Sequence, residues 1–308
     1  MAVAAAQIDG RPSRFLELRA LQSLTHLRFA ARQRIEGAYS GRHLSRQRGG
    51  SAEFVDYREY APGEDLRRID WKVLGRTGRP YVRLYQDETN LRCTLMIDAS
   101  SSMLFAGRDQ RPATSKLEYV QYLSTAFSYL IAAQHDQVGL AIAADGLVEL
   151  VPPGGTSGHV WRLQKMIESI QAIPRTNLAA ALRQAFDRLT GRGVIMIMSD
   201  FLVDDVNELY PMLRLFRARR WEVIALHIIH PDEEHLPQGR AFRFEGMEND
   251  GRVDCSPAQV REAYESAFSA HVAAVRGAVV MSGSDYHRVS TATPWLRTLM
   301  GFLVERQG

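Results

Sequence analysis

A chain of 308 residues with 45% hydrophobic content can bury a large core and has room for one main domain plus a smaller appendage. A formal net charge of only +3 argues against a protein built to coat nucleic acid. The two cysteines, Cys93 and Cys255, show no metal-ligand spacing and sit in apolar runs, which predicts reduced thiols and a cytoplasmic location.

Residues 1–15 carry no charged segment ahead of a long apolar one, so they do not read as a secretory leader. No apolar run approaches the roughly 20 residues of a bilayer span. Positive charge is nearly all arginine, with lysine only at Lys72, Lys116 and Lys165, a bias that fits genome composition.

From 13 to about 36, apolar residues recur at helical spacing (Leu16, Ala20, Leu24, Leu27, Ala31, Ile35) among arginines, predicting one amphipathic helix. Docking on the protein's own core is the expected use of that face, with an anionic membrane surface as the alternative. The glycine- and arginine-rich segment 37–50 has no burial periodicity and reads as an exposed loop. Farther on, the alternation in PYVRLYQ (80–86) predicts a strand. In and just before the intervening PGEDLRRIDW (62–71), Arg58, Asp65, Arg67 and Asp70 are candidates for an ion-pair network around Trp71.

After Asn90 strands and helices alternate. Strands are expected at 92–98, 137–144, 193–199 and 221–229, and helices at about 116–134, 158–171, 177–190 and 204–219. Asp145-Gly146 favours a tight hairpin between two apolar runs. Residues 230–239 read as a polar loop, followed by a helix at 262–277 and a last strand and helix. The predicted fold is α/β, a Rossmann-like, mostly parallel sheet with helices on both faces, spanning 91–308. Residues 1–90 form a small N-terminal region of helix and strand.

The end of the first parallel strand carries LMID followed by ASSSM, so that Asp98, Ser100 and Ser102 stand in the order Asp-x-Ser-x-Ser. Ligand sites of open parallel sheets form beyond the carboxyl ends of the strands. Thr176, ahead of a helix, and Asp200, directly after a strand, belong to the same sheet edge. A hard divalent cation takes such oxygen donors: Mg²⁺ first, with Mn²⁺ or Ca²⁺ also suited. Taken singly, each of these residues is equally explained as a cap on backbone N–H groups.

This set resembles the metal-ion-dependent adhesion site of von Willebrand factor A domains. Upstream, EFVDYREYAPGEDLRRIDW followed by PYVRLYQDET is similar to bacterial proteins of domain-of-unknown-function family 58, which are often associated with MoxR-type AAA+ ATPases. The resemblance implies that Ser100, Ser102 and Thr176 approach the metal through their hydroxyls, while Asp98 and Asp200 hold coordinated waters or bind directly. A carboxylate from a protein partner then completes the shell. It further implies a non-enzymatic interaction module acting with such an ATPase in assembly or maturation of a complex. One departure is Pro174-Arg175 ahead of Thr176, where related sequences often carry glycine.

A Mg²⁺-dependent phosphohydrolase is the enzymatic alternative. Against it, the second aspartate usual two positions after an aspartate nucleophile is here Ser100, and His135, His159, His227, His230 and His271 show no ligand or triad spacing. The glycine-rich 152–159 lacks the Gly-Lys-Ser/Thr of a P-loop. Arginines at 41–50 and 74–80 have no interleaved aromatic platform, so no nucleic-acid partner is expected.

Overall fold

The computed structural model describes residues 13–22, 24, 27, 29, 52–61, 69–87, 91–107, 115–236, 242–248 and 251–307. These divide into two compact units, 13–29 with 91–307, and 52–87.

The N-terminal segment holds one short helix, α1 (Leu18–Gln22). The continuous helix expected from 13 to about 36 is not what its described residues form: Leu24 and Leu27 bond to carbonyls only three residues back. Tight turns there bury Phe15, Leu21, Leu24, Leu27 and Phe29. Burial against neighbouring helices outweighs helical propensity, a weak local preference of tenths of a kcal/mol per residue. The segment docks on its own core: Phe29 packs on Phe127 and Phe302, and Phe15 meets Tyr122 edge-on.

In the smaller unit, β1 (Ala52–Glu59) pairs antiparallel with β2 (Tyr81–Asp87), and α2 (Trp71–Thr77) lies between them in sequence. Asp70 caps α2, accepting from the N–H groups of Lys72 and Val73, and also accepts from the Tyr57 hydroxyl. Trp71, around which the ion-pair network is expected, is 62% exposed. Asp65 and Arg67 lie outside the described residues, as does the loop expected at 37–50.

In the larger unit the alternation follows the expected order. Its elements are β3 (Arg92–Asp98), α3 (Lys116–Ala133), β4 (Gln137–Ala144), β5 (Gly146–Gly154), α4 (Ser157–Glu168), α5 (Leu178–Arg188), β6 (Val194–Ser199), α6 (Leu209–Ala218) and β7 (Glu222–Ile229). A short helix α7 (Pro231–Glu234) stands where a loop was expected. The hairpin of β8 (Phe242–Glu245) and β9 (Arg252–Cys255) was not anticipated either. The chain closes with α8 (Pro257–Met281), β10 (Asp285–Ser290) and α9 (Trp295–Gln307).

The central sheet runs β10-β7-β6-β3-β4-β5, parallel except for the β4–β5 hairpin at Asp145-Gly146. β6 and β7 are buried along their whole length, as expected of near-continuous apolar runs covered on both faces. α3, α4 and α9 associate on one side, while α5, α6 and α8 pack together in a second layer.

From β3 the chain first builds outward through β4 and β5, then returns to add β6 on the other side of β3. The strand order therefore reverses at β3, and the crevice of an open α/β sheet opens at such a switch point. Asp98 ends β3, and Asp200 directly follows β6.

Candidate functional site

The loops at this switch point are pinned by backbone pairing. Ala99 N–H bonds to the Ala143 carbonyl, and Ile173 N–H bonds to the Ala99 carbonyl in a short bridge alongside Ser100. Asn177 N–H bonds to the Ala144 carbonyl. Both ends of the Thr176 loop are thereby tied to the β3 and β4 edge.

The capping explanation for these residues fails at two places. Ser100 precedes the 3₁₀ turn Ser101–Leu104, yet makes no side-chain capping bond; its Oγ lies 3.0 Å from Ser102 Oγ. The cap of α5 is Asn177, whose side chain accepts from Ala180 N–H, and not Thr176. Thr176 Oγ1 is buried with no hydrogen-bond partner, a state that costs about 1–3 kcal/mol for a polar group.

The rest of the cluster is a hydrogen-bonded chain. Asp98 accepts from Ser100 N–H at 2.9 Å and from the Ser199 hydroxyl at 2.5 Å. Asp200 accepts from Leu202 N–H at 3.1 Å, from Lys116 Nζ at 2.6 Å and from the Ser102 hydroxyl. Lys116 Nζ also donates to Glu233, whose other oxygen accepts from His230 N–H. Asp98, Ser100, Asp200 and Lys116 are each at most 3% exposed.

Burial and the neighbouring Asp200 charge push the Asp98 carboxyl up to about 6, against the opposing hydrogen bonds. Burial also disfavours the Asp200 carboxylate, but the Lys116 ammonium more than offsets it and holds Asp200 below the usual range. Burial works against the Lys116 ammonium as well, and the carboxylates of Asp200 and Glu233 raise it regardless.

Sequence reading missed Lys116 and Glu233. The available signal was rarity: one of only three lysines in an arginine-rich chain stands at the start of the helix following the Asp-x-Ser-x-Ser loop. Glu233 left no comparable mark, because its approach depends on α7 folding back over the loop.

Among the described residues no group of three His, Cys, Asp or Glu side chains is arranged to hold a metal. The donor set fits a hard divalent ion on two counts. All candidate donors are oxygens, and the carboxyl groups of Asp98, Asp200 and Glu233 lie in one cluster with a single ammonium, that of Lys116.

The chain leaves β6 through a strained residue. Phe201 has φ of 52° and is fully buried, a conformation costing of order 1 kcal/mol that clusters at functional sites. His271 bonds to its carbonyl oxygen, and its ring meets His227 edge-on. The His227 Nδ1 lies in hydrogen-bond contact with the Tyr286 hydroxyl, at 2.8 Å.

Burial pulls the His227 ring down to about 4 from an ordinary 6.5. The unfolded chain therefore takes up a proton at this ring before the folded one does. The associated stability is intact above pH 6.5 and is lost as pH falls toward 4, by about 3 kcal/mol. Denaturant unfolding at these two pH values should show a correspondingly smaller acid loss in His227→Phe than in the wild type. Equal losses would mean that the ring protonates without unfolding.

The chain is 27% identical over 290 residues to an uncharacterized protein of Mycobacterium tuberculosis, covering 92% of this chain and 89% of that one. An uncharacterized protein of Mycobacterium bovis matches to the same extent. Among solved structures, it is similar to an aerotolerance-related membrane protein from Bacteroides fragilis, with 17% identity, a TM-score of 0.43 and coverage of 69% and 98% of the two chains. The conserved hypothetical protein BatB from Bacteroides thetaiotaomicron gives 14%, 0.46, and 70% and 98%. The SpRpn10 VWA domain gives 12%, 0.40, and 69% and 95%. At these scores the likenesses carry no argument about the site. No helix among the described residues is long and apolar enough to cross a membrane. The family model described as "Protein of unknown function DUF58" matches residues 56–274, most of the chain, and the chain therefore belongs to the DUF58 family.

Proposed function

We propose that this protein is a non-enzymatic interaction module whose carboxyl-edge cluster holds a divalent cation, Mg²⁺ in the first place, for capture of an acidic side chain from a protein partner. The carrying observation is the buried, unpartnered Thr176 hydroxyl in the loop pinned to Ala99 and Ala144, at the sheet edge where the Asp98, Ser100 and Ser102 oxygens gather. Ser100, Ser102, Thr176 and Asp98 would hold the ion. Asp200 suits an indirect role through water or Ser102, because both its oxygens already accept hydrogen bonds. A divalent cation there supplies positive charge to an incoming carboxylate. The MoxR-type AAA+ ATPase implied by the family resemblance is the proposed partner, in assembly or maturation of a complex.

Phosphoryl transfer gains no support from the site. The position two residues after Asp98 is a hydroxyl bonded to Ser102, and His227 lies buried behind Asp200, where no substrate reaches it.

Titration calorimetry of the wild type and Asp98→Ala with Mg²⁺ and with Mn²⁺ tests the reading. Saturable heat from the wild type that disappears in the variant is the expected result. Silence from the wild type, or equal heat from both proteins, would overturn it.

A further inference from the structure

Beside the cluster lies a cavity of about 720 Å³, within the range of ligand-binding pockets. Ser102 and Glu233 belong both to its lining and to the hydrogen-bonded cluster, so the cavity is continuous with the site. The walls come from five places in the fold: Phe105 after β3, Leu202 after β6, Leu236 after α7, Phe242, Phe244 and Met247 on and after β8, and Tyr264 and His271 on α8. Leu202 and Met247 are each 40% exposed, an apolar lip at the mouth. The exposed carboxylate of Asp204 stands in the same lining, and among the described residues no lysine or arginine contributes to it. A cavity lined by aromatic and aliphatic side chains, with Asp204, Asp232 and Glu233 as its acidic groups and His271 as the basic one among the described residues, is complementary to an apolar side chain accompanied by a positive one.

We infer that this cavity reads the residues flanking the partner's acidic side chain: a large apolar residue enters it, and a nearby lysine or arginine meets Asp204. This rests on the metal-dependent reading of the cluster and adds the composition of the captured segment. Acidic capture alone would accept any exposed aspartate. The cavity supplies the discrimination, since burying one large apolar side chain is worth about 1.5–3 kcal/mol, roughly 10- to 100-fold in affinity.

The test is binding of the full chain to an immobilised positional-scanning library of peptides with one fixed aspartate, in Mg²⁺ and in EDTA. Enrichment of leucine, methionine or phenylalanine and of lysine or arginine near the aspartate is expected. Leu202→Arg and Met247→Arg, both on exposed lips that tolerate substitution, should abolish the apolar preference and keep the Mg²⁺-dependent aspartate requirement. Asp204→Lys should abolish the basic preference alone.

Flat flanking preferences with capture still needing aspartate and Mg²⁺ would overturn the cavity's role while leaving the metal reading standing. Apolar preference that persists in EDTA and without the aspartate would support the cavity and sink the metal reading. Capture of no peptide pool would overturn the inference, and the calorimetric titration judges the metal separately. A concentration-dependent dimer in sedimentation, dissolved by Met247→Arg, would give the cavity to a second copy and also overturn the inference.

Discussion

Lys116→Met should lower the free energy of unfolding by about 3–5 kcal/mol, the range for removing one partner of a buried ion pair. Methionine keeps the length and most of the volume of the side chain, so lost packing adds little. What remains is electrostatic. Lys116 is fully buried, and its ammonium reaches both Asp200 and Glu233. Without it the two carboxylates lose their shared counter-charge, with Asp98 already repelling Asp200. Each carboxylate must then stay charged without compensation or take up a proton. Guanidinium unfolding of wild type and variant, both in EDTA, measures the difference. A loss below about 1 kcal/mol would show that water reaches the cluster and stands in for the ammonium.

Arg306→Met should cost a similar amount, about 3–5 kcal/mol, at the opposite end of the sheet. Arg306 on α9 donates to Glu222 at the start of β7 and, at 3.1 Å, to Asp285 at the start of β10. Its guanidinium is buried, as is Glu222. Its plane also lies near the rings of Phe29 and Phe302, so one side chain ties the docked N-terminal segment and α9 to two strands. Arg243→Ala provides the contrast. Its pair with Asp254 leaves both side chains more than 60% exposed, where solvent screening leaves an ion pair little effect on stability. Unfolding measured by circular dichroism should therefore separate the two variants clearly. Equal effects would mean that Arg306 is solvated in the folded protein.

At the two ends of the sheet, Arg306 joins Glu222 to Asp285, while Lys116 joins Asp200 to Glu233.

The parallel strands and most helices of the larger unit were legible in the sequence to within a few residues. Long apolar runs such as GVIMIMS and WEVIALHII can be satisfied only in a strand covered on both faces, and helical periodicity between them admits few alternatives. The candidate residues Asp98, Ser100, Ser102, Thr176 and Asp200 were legible for a related reason: each stands at or near the boundary of a readable element. The continuous helix expected at 13–36 was misread over its described residues, and two of the charges of the network expected around Trp71 lie outside them. Both depended on which neighbours the segment meets, and the sequence contains no local record of that.

Tertiary structure alone decided which bland explanations survive. That Asn177 rather than Thr176 caps α5, and that Ser100 bonds to Ser102 rather than to the following turn, are facts of side-chain direction within a few ångströms. The approach of Lys116 to Asp200 and to Glu233 joins positions separated by 84 and 117 residues. Local propensity and periodicity act over a turn or two of chain. The charge balance of a buried cluster is set by whichever distant groups the fold brings together, so it becomes visible only once the sheet order has placed β3 beside β6 and α7 over both.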